Sequence, residues 1–339
     1  MKSVVLTNAR SLEIQEHPTP VVKKPDDILI RVKAVGICGS DVHAYDGSLS
    51  TIKYPRIIGH EVVGEVLAVG IAVTHVQPGD HVAMDPVVSC GKCLPCRNGR
   101  RNVCRDVKCM GVAAEGGAAE YVVLPSINVV KMPADIPWRD AVLAEPFTIG
   151  SNATARARVV PGDMALVMGA GTIGLVSMQA AKQRGATVMV ADIVDSRLAL
   201  AKKLGADRVV NTKKEDLAAA VSEFTGGEGV TVYVDAVGAP WSLVLGMELT
   251  APTGRVVALG LSADELKFPQ ATISKKELEL IGSRMHSNRF PEAIGWISEK
   301  KVQTGPMVTH SFPFTQAQAA FDLIEKSPET TCKVLLTFE

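Results

Sequence analysis

Residues 164–185, "MALVMGAGTIGLVSMQAAKQRG", decide the fold. Met164 to Met168 read as a short buried strand, and "GAGTIG" (169–174) then opens a helical segment that Gly185 stops. A strand, a G-x-G-x-x-G turn and a helix in that order make a phosphate-binding turn. Gly169 permits the tight turn, and Gly171 lets a pyrophosphate approach the backbone. Gly174 allows close helix–strand packing, Ile173 joins the cofactor contacts from within the turn, and the helix N-terminus faces the phosphate charge. The next strand, "TVMVAD", ends on Asp192, 18 residues past Gly174. A carboxylate there accepts hydrogen bonds from the ribose hydroxyls of NAD and repels the 2′-phosphate of NADP. Arg197, five residues on, also reaches the ribose. NAD is the expected cofactor.

Outward from this turn the chain shows two textures. From about 160 to 285, strands alternate with helical segments ("SRLALAKKLG", "RVV", "VTVYVDAVG", "GRVVALGL"), the βαβ signal of a doubly wound parallel sheet. Residues 1–150 instead alternate short β-like runs with Gly/Pro turns, as in an antiparallel, barrel-like domain. The tail returns to a mixed pattern, with "FPEAIGWISEKK" helical and "CKVLLTF" strand-like. The expected fold class is therefore α/β, with a β-rich domain over 1–150, a nucleotide-binding domain over 151–285 and a return over 286–339. At 339 residues two domains are expected.

Charge and composition narrow the partners. Formal net charge is zero, so no basic excess exists to neutralise nucleic-acid phosphates. No apolar run approaches the roughly 20 residues that span a bilayer. "MKSVVLTNAR" lacks the apolar core and cleavage site of a signal peptide, so a reducing cytoplasm is expected. There, clustered cysteines more often bind metal than pair as disulfides. Cys90, Cys93, Cys96 and Cys104 fall within fifteen residues. Four thiolates this close can surround one zinc ion with no open position, which makes the site structural; an iron–sulfur cluster is the rival.

Two further segments supply the donors of an open metal site. "GICGSD" carries Cys38, and "GHEVVGEV" carries His60 and Glu61. Thiolate, imidazole and carboxylate are the ligands of catalytic zinc, which keeps a fourth position for water or substrate. "LAEPF" adds Glu145 in apolar surroundings, where a carboxylate needs a cation or donors.

These motifs together resemble the zinc-containing medium-chain alcohol dehydrogenases. Gly59, His60, Glu61, Gly64, Gly70 and Val73 match that family's G-H-E signature, and "CGSDVH", the four-cysteine lobe and "GAGTIG" follow in its order. The resemblance implies a GroES-like catalytic domain built from both chain ends around an inserted Rossmann domain. It implies two zinc ions per chain, the one at residues 90–104 being structural, together with NAD and a homodimer or homotetramer. Cys38, His60 and Glu61 would hold the catalytic zinc, with Glu145 binding it directly or through water. Asp41 would fix the tautomer of His60, and Ser40 would pass the alcohol proton by way of the ribose to His43.

Two departures bear on substrate. Polyol dehydrogenases of this family carry tyrosines where this chain has Ala44 and Met285. "YPRIIGHE", "DPVVSCGKC" and "EPFTIGSN" resemble instead the branch of bacterial L-galactonate and L-gulonate 5-dehydrogenases that includes starvation-sensing protein B. Those enzymes oxidise a sugar acid, and Arg284, Arg289 and His286 are the candidate holders of its carboxylate. Sorbitol- or xylitol-type and L-threonine dehydrogenases are the enzymatic alternatives. A non-catalytic sensor on the same scaffold is the alternative of another class, although a pure binder has no need of this full catalytic set.

Overall fold

The computed structural model describes residues 1–339, which divide into two compact units. The first comprises Met1–Glu145, Phe290–Lys300 and Met307–Glu339; the second comprises Pro146–Arg289 and Lys301–Pro306. The short excursion of residues 301–306 back into the second unit has no signal in the sequence.

The second unit is a six-stranded parallel sheet. Its order is Arg208–Asn211, Thr187–Asp192, Met164–Met168, Val230–Asp235, Thr250–Ala258, Glu279–Gly282. With strands numbered along the chain this is 3-2-1-4-5-6, the doubly wound order, and ligands bind such sheets beyond the strands' carboxyl ends where the order reverses. The central strands are largely apolar and buried, as strands of a parallel sheet covered by helices on both faces are. Arg255 locks the opposite end. Its guanidinium pairs with the buried Asp163 carboxylate and donates to the carbonyls of Ala157 (2.9 Å) and Arg158 (3.1 Å).

The first unit is built on a seven-stranded, largely antiparallel sheet that joins the chain's two ends. Strand Asp27–Ile37 lies at its centre, between Glu61–Val69 and the C-terminal strand Lys333–Thr337. Alternate residues of these strands (Ile28, Ile30, Val32, Val66, Val334, Leu336) fill one apolar core. That three-strand adjacency positions the chemistry, because Cys38, Glu61 and Lys333 all stand at the same ends of neighbouring strands.

Candidate metal centres and cofactor site

The four-cysteine loop closes on itself. The sulfurs of Cys90, Cys93, Cys96 and Cys104 all lie within 4.8 Å of one another, with Cys93 3.4 Å from Cys96 and 3.7 Å from Cys104. A tetrahedral ion with Zn–S near 2.3 Å would set its sulfurs ~3.8 Å apart, which matches this spacing; a multi-iron cluster needs thiolates held round a larger core. Backbone N–H groups of Arg105 and Cys96 pull the Cys93 thiol down to about 6, and those of Lys92 and Cys93 lower Cys90. Desolvation, then protons shared with Cys93 and Cys104, push Cys96 up to about 11. A divalent ion would be bound by the deprotonated thiols.

The second cluster gathers at strand ends. Cys38 leaves strand Asp27–Ile37 and caps helix Gly39–Asp46, where its backbone N–H donates to Asp41 Oδ2 at 2.9 Å. Gly59 adopts φ +89°, turning the chain so that His60 and Glu61 enter the next strand. Gly111 packs on that turn so closely that a Cβ there would lie 2.9 Å from Gly59 backbone atoms. Register places Gly36 opposite Glu61, and a side chain at Gly36 would strike Glu61 Oε2 at 2.0 Å. Only glycine fits.

One donor atom each from Cys38, His60 and Glu61 lies within 4.8 Å of the other two. His60 Nδ1 and Glu61 Oε2 are buried with no hydrogen-bond partner, a state that costs about 1–3 kcal/mol per neutral group and more per charged one. Asp41 is 1% exposed, and its Oδ1 lies 3.7 Å from His60 Nδ1. Burial disfavours charge on His60, but the Asp41 carboxylate and the Cys38 and Cys109 thiols outweigh it and hold the ring well above its ordinary value of 6.5. The surroundings favour a cation.

Sequence reasoning missed the residue that balances this charge. Lys333, 2% exposed, donates to Glu61 Oε1 at 2.6 Å and to the Ile37 carbonyl at 3.1 Å. Burial alone would lower Lys333, but Glu61 and Cys38 hold it raised. Its only signal was a cation inside the apolar run "CKVLLTF". Cys109 was missed too. Its thiol is pushed up to about 11 by burial, against the pull of His60 and with the push of Glu145, Cys38 and Asp41. Lys333 occupies one oxygen of Glu61 and leaves Oε2 without a partner, beside the Cys38 and His60 donors. The donor set fits zinc. Glu145 is buried in the first turn of helix Ala144–Arg156. Ser40 is half-buried, whereas His43 is exposed with Nδ1 3.1 Å from Ser48 Oγ.

The nucleotide turn is shaped for a ligand. Gly169 has φ +98°, and a Cβ on Gly174 would meet the Gly169 carbonyl oxygen at 1.8 Å. A Cβ on Gly171 would meet no protein atom within 4 Å, so the backbone there is open to approach. Asp192 is fixed by three backbone donors: Ala170 N–H to Oδ2 (2.7 Å), with Ile193 (2.7 Å) and Val194 (2.9 Å) to Oδ1. Asp192 and Arg197 line a cavity of about 340 Å³ with Gly169, Gly171, Thr212 and Trp241. Ile173 is half-buried in the first turn of the following helix.

Residues 24–134 match the alcohol dehydrogenase GroES-like domain, and residues 172–299 match the zinc-binding dehydrogenase domain. The chain belongs to the zinc-type alcohol dehydrogenase family. It is 40% identical to the starvation-sensing protein RspB of Escherichia coli K12, covering 100% of this chain and 99% of that one. It is 35% identical to the L-idonate 5-dehydrogenase of Vitis vinifera, covering 97% and 90%. The crystal structure of RspB from E. coli CFT073 in complex with NADH superposes with a TM-score of 0.94 at 39% identity, covering 100% and 99% of the two chains. This member of the family is a zinc- and NAD-dependent oxidoreductase. No helix is long and apolar enough to cross a membrane.

The candidate substrate residues follow the last parallel strand. Buried Asn152 donates through Nδ2 to Ser283 Oγ (3.0 Å) and to the Met285 carbonyl (3.2 Å), anchoring the backbone on both sides of exposed Arg284. Met285 takes φ +47°, His286 is buried and Arg289 half-buried. Ala44 packs into the apolar core of its own unit.

Proposed function

We propose that the enzyme oxidises one secondary hydroxyl of a sugar acid, a hexonate of the L-gulonate or L-galactonate type, to a keto-uronate. The observation that carries the chemistry is the set of Cys38, His60 and Glu61, whose ligand atoms lie within 4.8 Å of one another, with Glu61 Oε2 buried and without a hydrogen-bond partner. Zinc held there supplies a Lewis acid that eases loss of a hydroxyl proton, and NAD supplies the hydride acceptor. Asp41 orients the His60 ring, and Lys333 fixes one oxygen of Glu61 while leaving the other to the metal. Ser40 takes the hydroxyl proton and His43 delivers it to solvent. Asp192 and the turn 169–174 hold the adenosine ribose and pyrophosphate of NAD. The loop 90–104 holds the structural zinc.

The sugar-acid reading is supported by the likeness to L-idonate 5-dehydrogenase, by the absence of the polyol enzymes' tyrosines at Ala44 and Met285, and by the cationic Arg284 between Ser283 and Met285, both held by Asn152. Bound substrate would cover the exposed Arg284 guanidinium, and a charge pair desolvated in this way loses a few kcal/mol when one partner is removed, so Arg284→Ala lowers kcat/KM for the hexonate by roughly 10²-fold and leaves a neutral polyol unaffected. The test compares L-gulonate, L-galactonate, sorbitol and L-threonine in native and Arg284→Ala proteins. Sorbitol or threonine as the best native substrate overturns the hexonate assignment.

A further inference from the structure

Twelve large apolar side chains are more than a third exposed, and three of them share one cavity. Ile193 (51% exposed), Val237 (45%) and Trp241 (57%) line the same 340 Å³ cavity, at the carboxyl ends of the parallel strands in the second unit. Trp241 is the one aromatic ring among the twelve. Asp192, Arg197 and Thr212 provide the polar wall. A mainly apolar cavity with a few placed polar groups marks a site for a flat ligand.

The indole is presented on a rigid base. It sits in the first turn of helix Pro240–Leu249, just after Gly238 at φ +80°. The buried Asp235 carboxylate ties this turn through Oδ1, accepting from the N–H of Val237 (3.1 Å), the N–H of Gly238 (3.1 Å) and the Ser242 hydroxyl (2.8 Å). Tyr233, wholly buried, donates to the Ser242 carbonyl at 2.8 Å and backs the same turn.

We propose that Trp241 covers the adenine of the dinucleotide, stacking on the base whose ribose Asp192 holds, with Ile193 and Val237 completing the apolar wall. Adenine does not change when the nicotinamide is reduced. Trp241 therefore strengthens NAD⁺ and NADH binding by the same factor, and it does so through the adenosine half alone. It is a positioning residue for the cofactor and takes no part in the chemical step.

The experiment measures dissociation constants by calorimetry for NADH, NAD⁺, ADP-ribose and reduced nicotinamide mononucleotide, using zinc-loaded native, Trp241→Ala and Trp241→Phe proteins. Loss of a base–aromatic stack weakens NADH, NAD⁺ and ADP-ribose equally, about 10- to 100-fold, in the alanine variant. The mononucleotide, which lacks adenine, binds as before. Phenylalanine restores affinity to within about threefold, because it keeps a ring to stack on. Excitation of native tryptophan sensitises emission from bound NADH, and most of that signal disappears in Trp241→Phe although Trp138 and Trp296 remain. The melting temperature of the cofactor-free protein does not move, since the side chain is exposed. An unchanged NADH constant in Trp241→Ala overturns the proposal. So does an equal weakening of the mononucleotide, or native tryptophan emission that never reaches NADH.

Discussion

The two clusters of metal-ligating side chains solve the same problem at opposite extremes of chain separation. The lobe at residues 90–104 takes all four thiols from one loop, leaves three of them half-exposed and supports them with neighbouring backbone N–H groups. Six cations, Lys92, Arg97, Arg100, Arg101, Arg105 and Lys108, lie in the same stretch of chain. The cluster of Cys38, His60 and Glu61 draws on two strand ends, and the lysine that balances it arrives from 272 residues away. Glu61 and Lys333 are almost fully buried, 1% and 2% exposed. A solvated shell tolerates imperfect compensation because water screens it. A buried one does not, and each charge must be matched within the protein. A closed, wet shell serves as a staple, and an open, dry one can exert an ion's field on a substrate.

That contrast can be broken most directly at His60. His60→Ala should bring zinc from about two ions per chain to about one and lower kcat/KM by several kcal/mol's worth, on the order of 10³-fold or more. Metal analysis alongside kinetics checks it, and retention of both ions would remove His60 from the site. Next comes Lys333. Lys333→Met leaves the Glu61 carboxylate buried and unpaired, which should cost about 3–5 kcal/mol in a urea titration. Adding Glu61→Gln should recover most of that loss; without recovery, the pair is not the cause.

Asp41→Asn is expected to do less. Weakening the partner that orients a metal-bound histidine typically lowers metal affinity about 10- to 100-fold, measurable by competition with a zinc chelator, while the lobe's ion is unaffected. The smallest catalytic effect belongs to Cys96→Ser. One zinc should be lost and the loop should become sensitive to protease, yet kcat should stay within about threefold, because distant sites contribute independently. A large loss of kcat there would show the two centres to be coupled.

The legibility of each feature follows from how far apart its parts lie in the chain. The G-x-G-x-x-G turn could be read directly because its demands are local: Gly169 at φ +98° and Gly174 against the Gly169 carbonyl are five residues apart. The four-cysteine shell was legible for the same reason. His60 and Glu61 were legible because two ligand types stand side by side after a glycine. Sequence alone thus determined the two textures, the dinucleotide turn, the acid at Asp192 and the residue types of both metal sets, since each is set by backbone geometry or ligand chemistry within a few residues. The tertiary structure decided what depends on register between distant strands. It placed Lys333 on Glu61, required glycine at position 36, set Cys109 beside the ligands, used Asn152 to anchor Arg284, and exposed Trp241 over the nucleotide cavity. A buried charge or an exposed ring takes its meaning from what the fold sets against it, and only the assembled sheets bring those partners together.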